Sequence, residues 1–453
     1  MTRVLILTGD PIGQRMAGPA IRVWNTALTL QGDGHEVRVV TTTRAERPDA
    51  PFELFAVPPG DDRAFRPHER WADVVLFQGY GMNQFPSLRR SDRYLVADVY
   101  DPMHLEMLEQ GRELPRATWD LRVAAARDAL DDQLRRADLV LCASERQRLF
   151  YLGHLAALGR INPATYADDP DLRGLLDLMP FGLDPVPPAP GAALRGVVPG
   201  FDADSKVLIW GGGVYSWFDP LSLIRAVAAL SKVRDDVRLF FLGTRHPGVE
   251  EMGIVRQAFD LARELGVEGT NVVFNDTWVP YADRGAYLLD ADAGVSTHHI
   301  HVETTFAFRT RILDYLWAGL PMVVTDGDGF ADLVRDENLG VVVPGDDVEA
   351  LTVALAEVLD PARAAVYRAN VERVRDGFAW PVVLGPLRAF VADPHHAADY
   401  AGDRDAMGTG AGRRGRRLSG PMHDLRMAWH HLRHSGLRDV TRRVRGRLGR
   451  GTS

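Results

Sequence analysis

The chain has 453 residues, 46% hydrophobic and 25% charged, with 43 glycines and 28 prolines. That composition excludes whole-chain disorder and a collagen-like fibre, and at roughly 150 residues per domain it predicts two or three domains. A single cysteine, Cys142 in the apolar run 139–143, excludes a disulfide framework and a cysteine-based zinc site. The net charge of -8 conceals an asymmetry: residues 401–453 hold 13 arginines and 4 acids, a balance of +9, which leaves -17 on the first 400. Such a basic tail suits a polyanionic partner, while the acidic body is not expected to bind nucleic acid. No run approaches the roughly 18 apolar residues of a membrane span, and the N-terminus lacks a signal peptide's pattern. The expectation is a cytoplasmic protein.

Val4-Leu5-Ile6-Leu7 is a short apolar run ending in Gly9-Asp10-Pro11, and after Gly18-Pro19 the apolar residues Ile21, Trp24, Ala27 and Leu28 take helical spacing. With a strand over 36–40 this is the opening of a βαβ unit. Further strands are predicted at 52–57, 74–77, 94–99 and 139–143, with a helix around 118–137. Five prolines within 185–199 read as a linker. A second series then begins, with strands at 207–210, 238–242, 272–275, 293–297, 322–325 and 341–343. Helices near 220–233, 252–265, 306–318 and 347–359 fit between them, and 378–392 is placed as a last helix packing back on the first domain. The prediction is an α/β chain of two doubly wound, Rossmann-like domains facing a cleft. The domains span 1–184 and 206–377, with 185–205 between them and a basic, partly amphipathic tail over 393–453.

Ligands of open parallel sheets sit at the carboxyl ends of strands, which directs attention to the segments that follow them. Gly211-Gly212-Gly213 stands there after 207–210. Glycines in such a place let a backbone approach a phosphate, or simply make a tight strand–helix turn. The spacing is neither a dinucleotide fingerprint nor a Walker loop. In the segment 303–321, Arg309 and Arg311 fall near the start of a predicted helix and can hold a pyrophosphate. Asp314, one turn on, can accept from two ribose hydroxyls. The competing reading is a surface helix with an intrahelical Arg311–Asp314 pair.

Here the chain resembles the retaining family-4 glycosyltransferases of the GT-B fold. Their Glu-x7-Glu motif precedes a turn matched by Ala318-Gly319-Leu320-Pro321-Met322-Val323-Val324. The resemblance places Asp314 at the second Glu, the ribose ligand. Phe306 stands eight positions earlier, and Glu303 eleven, so the first Glu is displaced or absent. The loop Met16-Ala17-Gly18-Pro19 is similar to the family's loop facing donor and acceptor. Phe181-Gly182-Leu183-Asp184 resembles its approach to the linker. The family's Arg…Lys pair after the first strand of the second domain is replaced by Gly213-Val214-Tyr215-Ser216-Trp217-Phe218-Asp219, so Arg309, Arg311 or Arg245 must serve the diphosphate. Donor-side candidates are then Gly211, Gly212, Gly213, Arg245, His298, Glu303, Phe308, Arg309, Thr310, Arg311 and Asp314. Ala17 and Gly18 are the loop candidates, and Trp278, Val279 and Pro280 frame the base.

After the strand at 94–98, Asp101 and His104 occupy the place where the family often carries an acid or imidazole facing the anomeric carbon. Asp101 before Pro102 also fits an Asx turn. Asp326-Gly327-Asp328, Asp202-Ala203-Asp204 and His298-His299-x-His301 superficially resemble metal motifs, but neither a metal nor another cofactor is expected. In 421–448, apolar residues at three- or four-residue spacing alternate with arginines. This basic amphipathic pattern suits an anionic membrane surface, a disordered tail or a partner-docking helix.

The resemblance implies transfer of a sugar from a nucleotide-sugar donor to a glycan or lipid-linked acceptor, in polysaccharide or cell-envelope assembly at the inner face of the plasma membrane. The same architecture admits a sugar-nucleotide epimerase or a non-catalytic partner subunit.

Overall fold

The computed structural model describes residues 1–14, 16–184, 186–244, 253–277, 279–280 and 283–408. Arg245, Trp278 and the amphipathic pattern at 421–448 lie outside the described residues. Among the described residues no helix is long and apolar enough to cross a membrane.

The first sheet contains β1 (Arg3–Thr8), β2 (Glu36–Thr41), β3 (Glu53–Ala56), β4 (Val74–Gln78), β5 (Tyr94–Asp98), β6 (Leu139–Cys142) and β7 (Leu176–Leu178). It is wholly parallel, in the order β3-β2-β1-β4-β5-β6-β7. The second sheet contains β8 (Lys206–Trp210), β9 (Val237–Phe241), β10 (Val272–Phe274), β11 (Ala293–Ser296), β12 (Met322–Thr325) and β13 (Gly340–Val343). It is also parallel, in the order β10-β9-β8-β11-β12-β13. Helices cover both faces of each sheet, which is why β4 and β12 are buried from end to end and read as unbroken apolar runs. All twelve expected strands are present; β7, with only three residues, is an addition to them.

Local chemistry starts the helices. Ser144 accepts from the Gln147 N–H at 3.2 Å to open Glu145–Ala157, and Asp219 accepts from Ser222 at 2.9 Å to open Pro220–Leu230, with Pro220 in the first turn. In both sheets the strand order reverses beside the first strand, between β1 and β4 and between β8 and β11. A crevice must open there.

The segment 185–205 is tied down rather than free. The Asp290 carboxylate accepts from the N–H groups of Ala193, Leu194 and Arg195 at 3.2, 2.7 and 2.9 Å. The expected last helix is three short pieces, because Pro381 and Pro386 each restart the chain. The first piece is the turn Asp376–Phe378. Trp380 in the second, Trp380–Val383, covers Gly182 so closely that a Cβ there would lie 2.5 Å from its ring. The third, Gly385–Ala392, is held to the first domain by Thr2 Oγ1 donating to Val391 O (2.8 Å) and by Arg388–Asp33 (2.6 Å).

The described start of the tail, 393–408, lies against the first domain. Arg404, 2% exposed, donates to the carbonyls of Ser91 (2.7 Å), Arg93 and Arg136 (2.6 Å), and to Asp138 Oδ2 at 2.8 Å. Arg160 and Asp399 pair at 2.8 Å nearby. Removing one partner of a buried ion pair strands the other, at a cost of about 3–5 kcal/mol. Arg404→Ala should therefore lower the unfolding free energy by about 3 kcal/mol in urea titration. Arg404→Lys should recover only part of it, because an ammonium cannot span three carbonyls and a carboxylate.

Candidate active site

The interdomain cleft lies over the carboxyl ends of both sheets and contains a cavity of about 220 Å³. Ala17 and Gly18 line it from the first domain, and Gly212, Tyr215, Val279, Arg284, Thr310 and Asp314 from the second. The loop, the glycine turn and the carboxylate singled out in the sequence thus meet in one place. Pro280 is exposed and does not line the cavity.

The expected helix over 306–318 is broken. Val302–Phe306 is one helix, residues 307–310 leave helical geometry, and Arg311–Trp317 is another. Tertiary contacts override local propensity at the break. Phe308 stacks on Phe181 of the first domain (6.0 Å) and packs on Phe330 (4.6 Å), while Arg309 turns back to Glu303 Oε2 at 2.8 Å. The second helix is fixed by Tyr315, whose hydroxyl accepts from Gly211 N–H (2.9 Å) and donates to Val295 O (2.7 Å). Its ring fills the space over Gly294, where a Cβ would fall 2.4 Å away.

This geometry separates the two arginines. Arg309 is 7% exposed and neutralised by Glu303, whose own carboxyl is raised by burial. Arg311 is equally buried but forms no ion pair with a described residue. Its Nη2 donates to Gly213 O at 2.9 Å, its guanidinium lies 3.9 Å from the Phe218 ring centre and 4.2 Å from that of Trp210, and Nη1 has no partner. Burial brings its pKa down to about 10, so it is still charged at neutral pH. An uncompensated buried cation beside a glycine turn fits an anionic ligand. Gly212, with φ 98°, holds that turn in a conformation suited to glycine. No Arg311–Asp314 ion pair forms: Asp314 pairs instead with Arg284 at 3.1 Å, a partner outside the sequence motif.

Across the cleft, Asp101 is raised well above the usual carboxylate range by burial, and further by the neighbouring charges of Glu106 and Glu303. The neighbouring Glu106 favours the protonated form of Asp101. Its backbone carbonyl, rather than its side chain, accepts from Met103 N–H (2.8 Å). Glu106 and Glu109 complete this acidic side, and Glu109 did not stand out in the sequence. His104 turns away from it, stacking on Phe150 at 5.7 Å, and burial lowers its pKa.

The three histidines diverge. His298, 1% exposed, has Nε2 3.3 Å from Asp326 O, and burial first, then Arg309, takes its pKa down to about 3. His299 meets Asp346 at 3.0 Å, with Asp219 close by. His301 caps the helix Val302–Phe306. Asp326 pairs with Arg335 at 2.8 Å and Asp328 caps Gly329–Asp336, while Asp202 and Asp204 are exposed.

A family model described as "Glycosyl transferases group 1" matches residues 205–361, the whole of the second sheet and its cleft-facing loops. Over residues 205–361 the chain is thus similar to a group 1 glycosyl transferase domain. The D-inositol 3-phosphate glycosyltransferase of Thermobispora bispora is 29% identical over 203 residues, 44% of this chain and 46% of that relative. The chain thus spans about half that relative's length. The enzyme of the same name from Mycolicibacterium smegmatis is 25% identical over 422 residues, 85% of this chain and 89% of the relative. Among solved structures, Anabaena HepE in complex with UDP-glucose superposes with a TM-score of 0.64 at 14% identity, over 87% of this chain and all of that one. The fold is GT-B.

One titration follows from the walls of this domain. Burial raises the Asp328 carboxyl to about 6. A raised carboxylate favours the folded state while protonated, and that contribution is lost as pH rises through about 6. Asp328→Asn keeps the helix cap and cannot ionise. The variant should match the parent in thermal unfolding near pH 4 and become the more stable of the two between pH 5 and 7.

Proposed function

We propose that the chain transfers a sugar from a nucleotide-diphosphate-sugar donor to a hydroxyl of a glycan or lipid-linked acceptor, with retention of anomeric configuration, in cell-envelope polysaccharide assembly. The observation that carries this reading is Arg311, buried and charged with no counter-ion among the described residues, beside Gly211–Gly213. The donor diphosphate supplies the missing anion, and Asp314, freed in part from Arg284, accepts from the ribose hydroxyls. A UDP-glucose complex of the similarly folded HepE supports the donor class.

In the reaction the bond from the anomeric carbon to the diphosphate oxygen breaks and a bond to the acceptor oxygen forms. Arg311 stabilises the charge growing on the departing diphosphate, in a walled site where a fixed cation is worth most. Arg309, held by Glu303, is not assigned to the diphosphate, and no step is routed through a metal. Asp101 and Glu106 face the reacting carbon and can hydrogen-bond the acceptor hydroxyl. The chain works in the cytoplasm, with the arginine-rich tail resting on an anionic membrane.

Arg311→Met should act in opposite directions on stability and on binding. Removing an uncompensated buried cation raises the melting temperature of the free protein, whereas donor affinity falls about 100-fold, the scale of losing one partner of a buried charge pair. A thermal-shift screen of UDP-, GDP-, dTDP- and ADP-sugars identifies the donor, and calorimetry on parent and variant reads the loss. Undiminished binding by Arg311→Met would remove the assigned diphosphate site. Turnover of a donor without any acceptor would favour the epimerase reading, and no response to any donor the non-catalytic one.

The membrane claim is tested by truncation after residue 408, which spares the Arg404 contacts. Co-sedimentation with phosphatidylserine vesicles should be lost in the truncated chain. Equal sedimentation of both chains would exclude the tail as the anchor.

A further inference from the structure

The first turns of the helix Glu145–Ala157 reach across the cleft at its end away from the cavity. Gln147 is fully buried, and every hydrogen-bonding atom of its side chain is used. Its Oε1 accepts from Ala143 N–H at 2.7 Å, which fixes the amide to the end of β6. One Nε2 hydrogen goes to Tyr100 O at 2.8 Å, the carbonyl just before Asp101. The other goes to Phe306 O in the second domain, also at 2.8 Å, midway between Glu303 and Arg309. Its neighbour Arg146 donates to Asp332 (2.6 Å) and Gly327 O (2.7 Å), and Phe150, one turn on, packs against Phe306 at 4.7 Å.

We propose that Gln147 is a positioning residue that registers the Asp101 loop of the first domain against the Glu303–Arg309 segment of the second, with Arg146 as its companion clasp. This rests on the glycosyl-transfer reading for its consequence in turnover, though not for the clasp itself. The chemistry requires an amide. A primary amide offers two donors and an acceptor at fixed angles, and here each meets a backbone group, that of Ala143 buried and those of Tyr100 and Phe306 partly buried. One planar group thus sets the distance between two loops on different sheets. Those loops carry Asp101 and the Glu303–Arg309 pair, whose mutual placement decides whether bound donor and acceptor are in line. The clasp does not touch Arg311 or Asp314, the assigned diphosphate and ribose contacts, so donor binding does not depend on it.

Gln147→Met preserves length and removes both donors. Its kcat should fall about 10- to 100-fold, the penalty of a misplacement of about an ångström, while donor affinity by calorimetry stays within about threefold. Domain closure is read separately by spin labels at Leu121→Cys and Val353→Cys, positions 71% and 64% exposed on helices of the two domains. The native Cys142 is buried, its thiol pushed up to about 12, and escapes labelling. The parent with donor bound should give one narrow distance distribution, and Gln147→Met a broader one displaced to longer distance. If Gln147→Met does not fold, Arg146→Ala, which removes a partly exposed side chain, should give the same displacement. An unchanged distribution, or a parent-like kcat, overturns the proposal. Absence of transfer by the parent with every donor would end the glycosyl-transfer reading, and the distance measurement would still decide the clasp.

Discussion

The hydroxyl of Tyr315 holds the helix Arg311–Trp317 in place over the second sheet. By accepting from Gly211 N–H and donating to Val295 O, it joins the turn after β8, the strand β11 and the helix itself at one buried point. The close fit of its ring over Gly294 and Gly211 leaves those positions no room for a side chain larger than hydrogen without local adjustment. Because the ring cannot move, the residues one turn before it cannot either. Arg311 is thereby aimed at the carbonyl of Gly213, and Asp314 at the cavity and Arg284. The rest of the site is arranged around that fixed helix.

Charge is distributed in the cleft by pairing some groups and leaving others incomplete. Arg309 has Glu303, and Asp314 has Arg284, so each is stable in the free protein. Arg311 has aromatic faces and one carbonyl, which hold a guanidinium in position without neutralising it. On the opposite wall burial and the neighbouring charges of Glu106 and Glu303 hold the Asp101 carboxyl well above its usual range. One domain thus carries a buried cation with no counter-ion among the described residues, and the other a carboxyl held above its usual range. Such a contrast is costly to build and characteristic of a site that does chemistry.

The two domains are joined by small, specific contacts at several levels. The segment before β8 is pinned by Asp290, Trp380 closes on Gly182, and the start of the C-terminal extension is locked to the first domain by Arg404. Across the cleft the joining is lighter, resting on Phe181–Phe308, Arg146–Asp332 and the amide of Gln147. The contrast fits a hinge with firm ends and a mouth able to open.

The sequence by itself determined the two parallel sheets, because strands buried on both faces must be apolar throughout and must alternate with helices. It also determined which strand ends carry the glycine turn, Arg311 and Asp314, since those motifs stand directly beside the strands. Only the tertiary structure decided the partners. Arg284 lies thirty residues before Asp314, and Gln147 stands on a helix of the other domain, at separations that no local period records. The break at 307–310 was likewise hidden, because it is imposed by Phe181 and Phe330 from outside the segment. The same limit applies to the region after residue 392. Its arginine count marked a basic tail, but Arg404 belongs to the folded body, where four backbone and carboxylate acceptors from distant segments converge on it. Composition gives a charge its sign; only the surrounding chain decides whether that charge is paired, buried or waiting for a ligand.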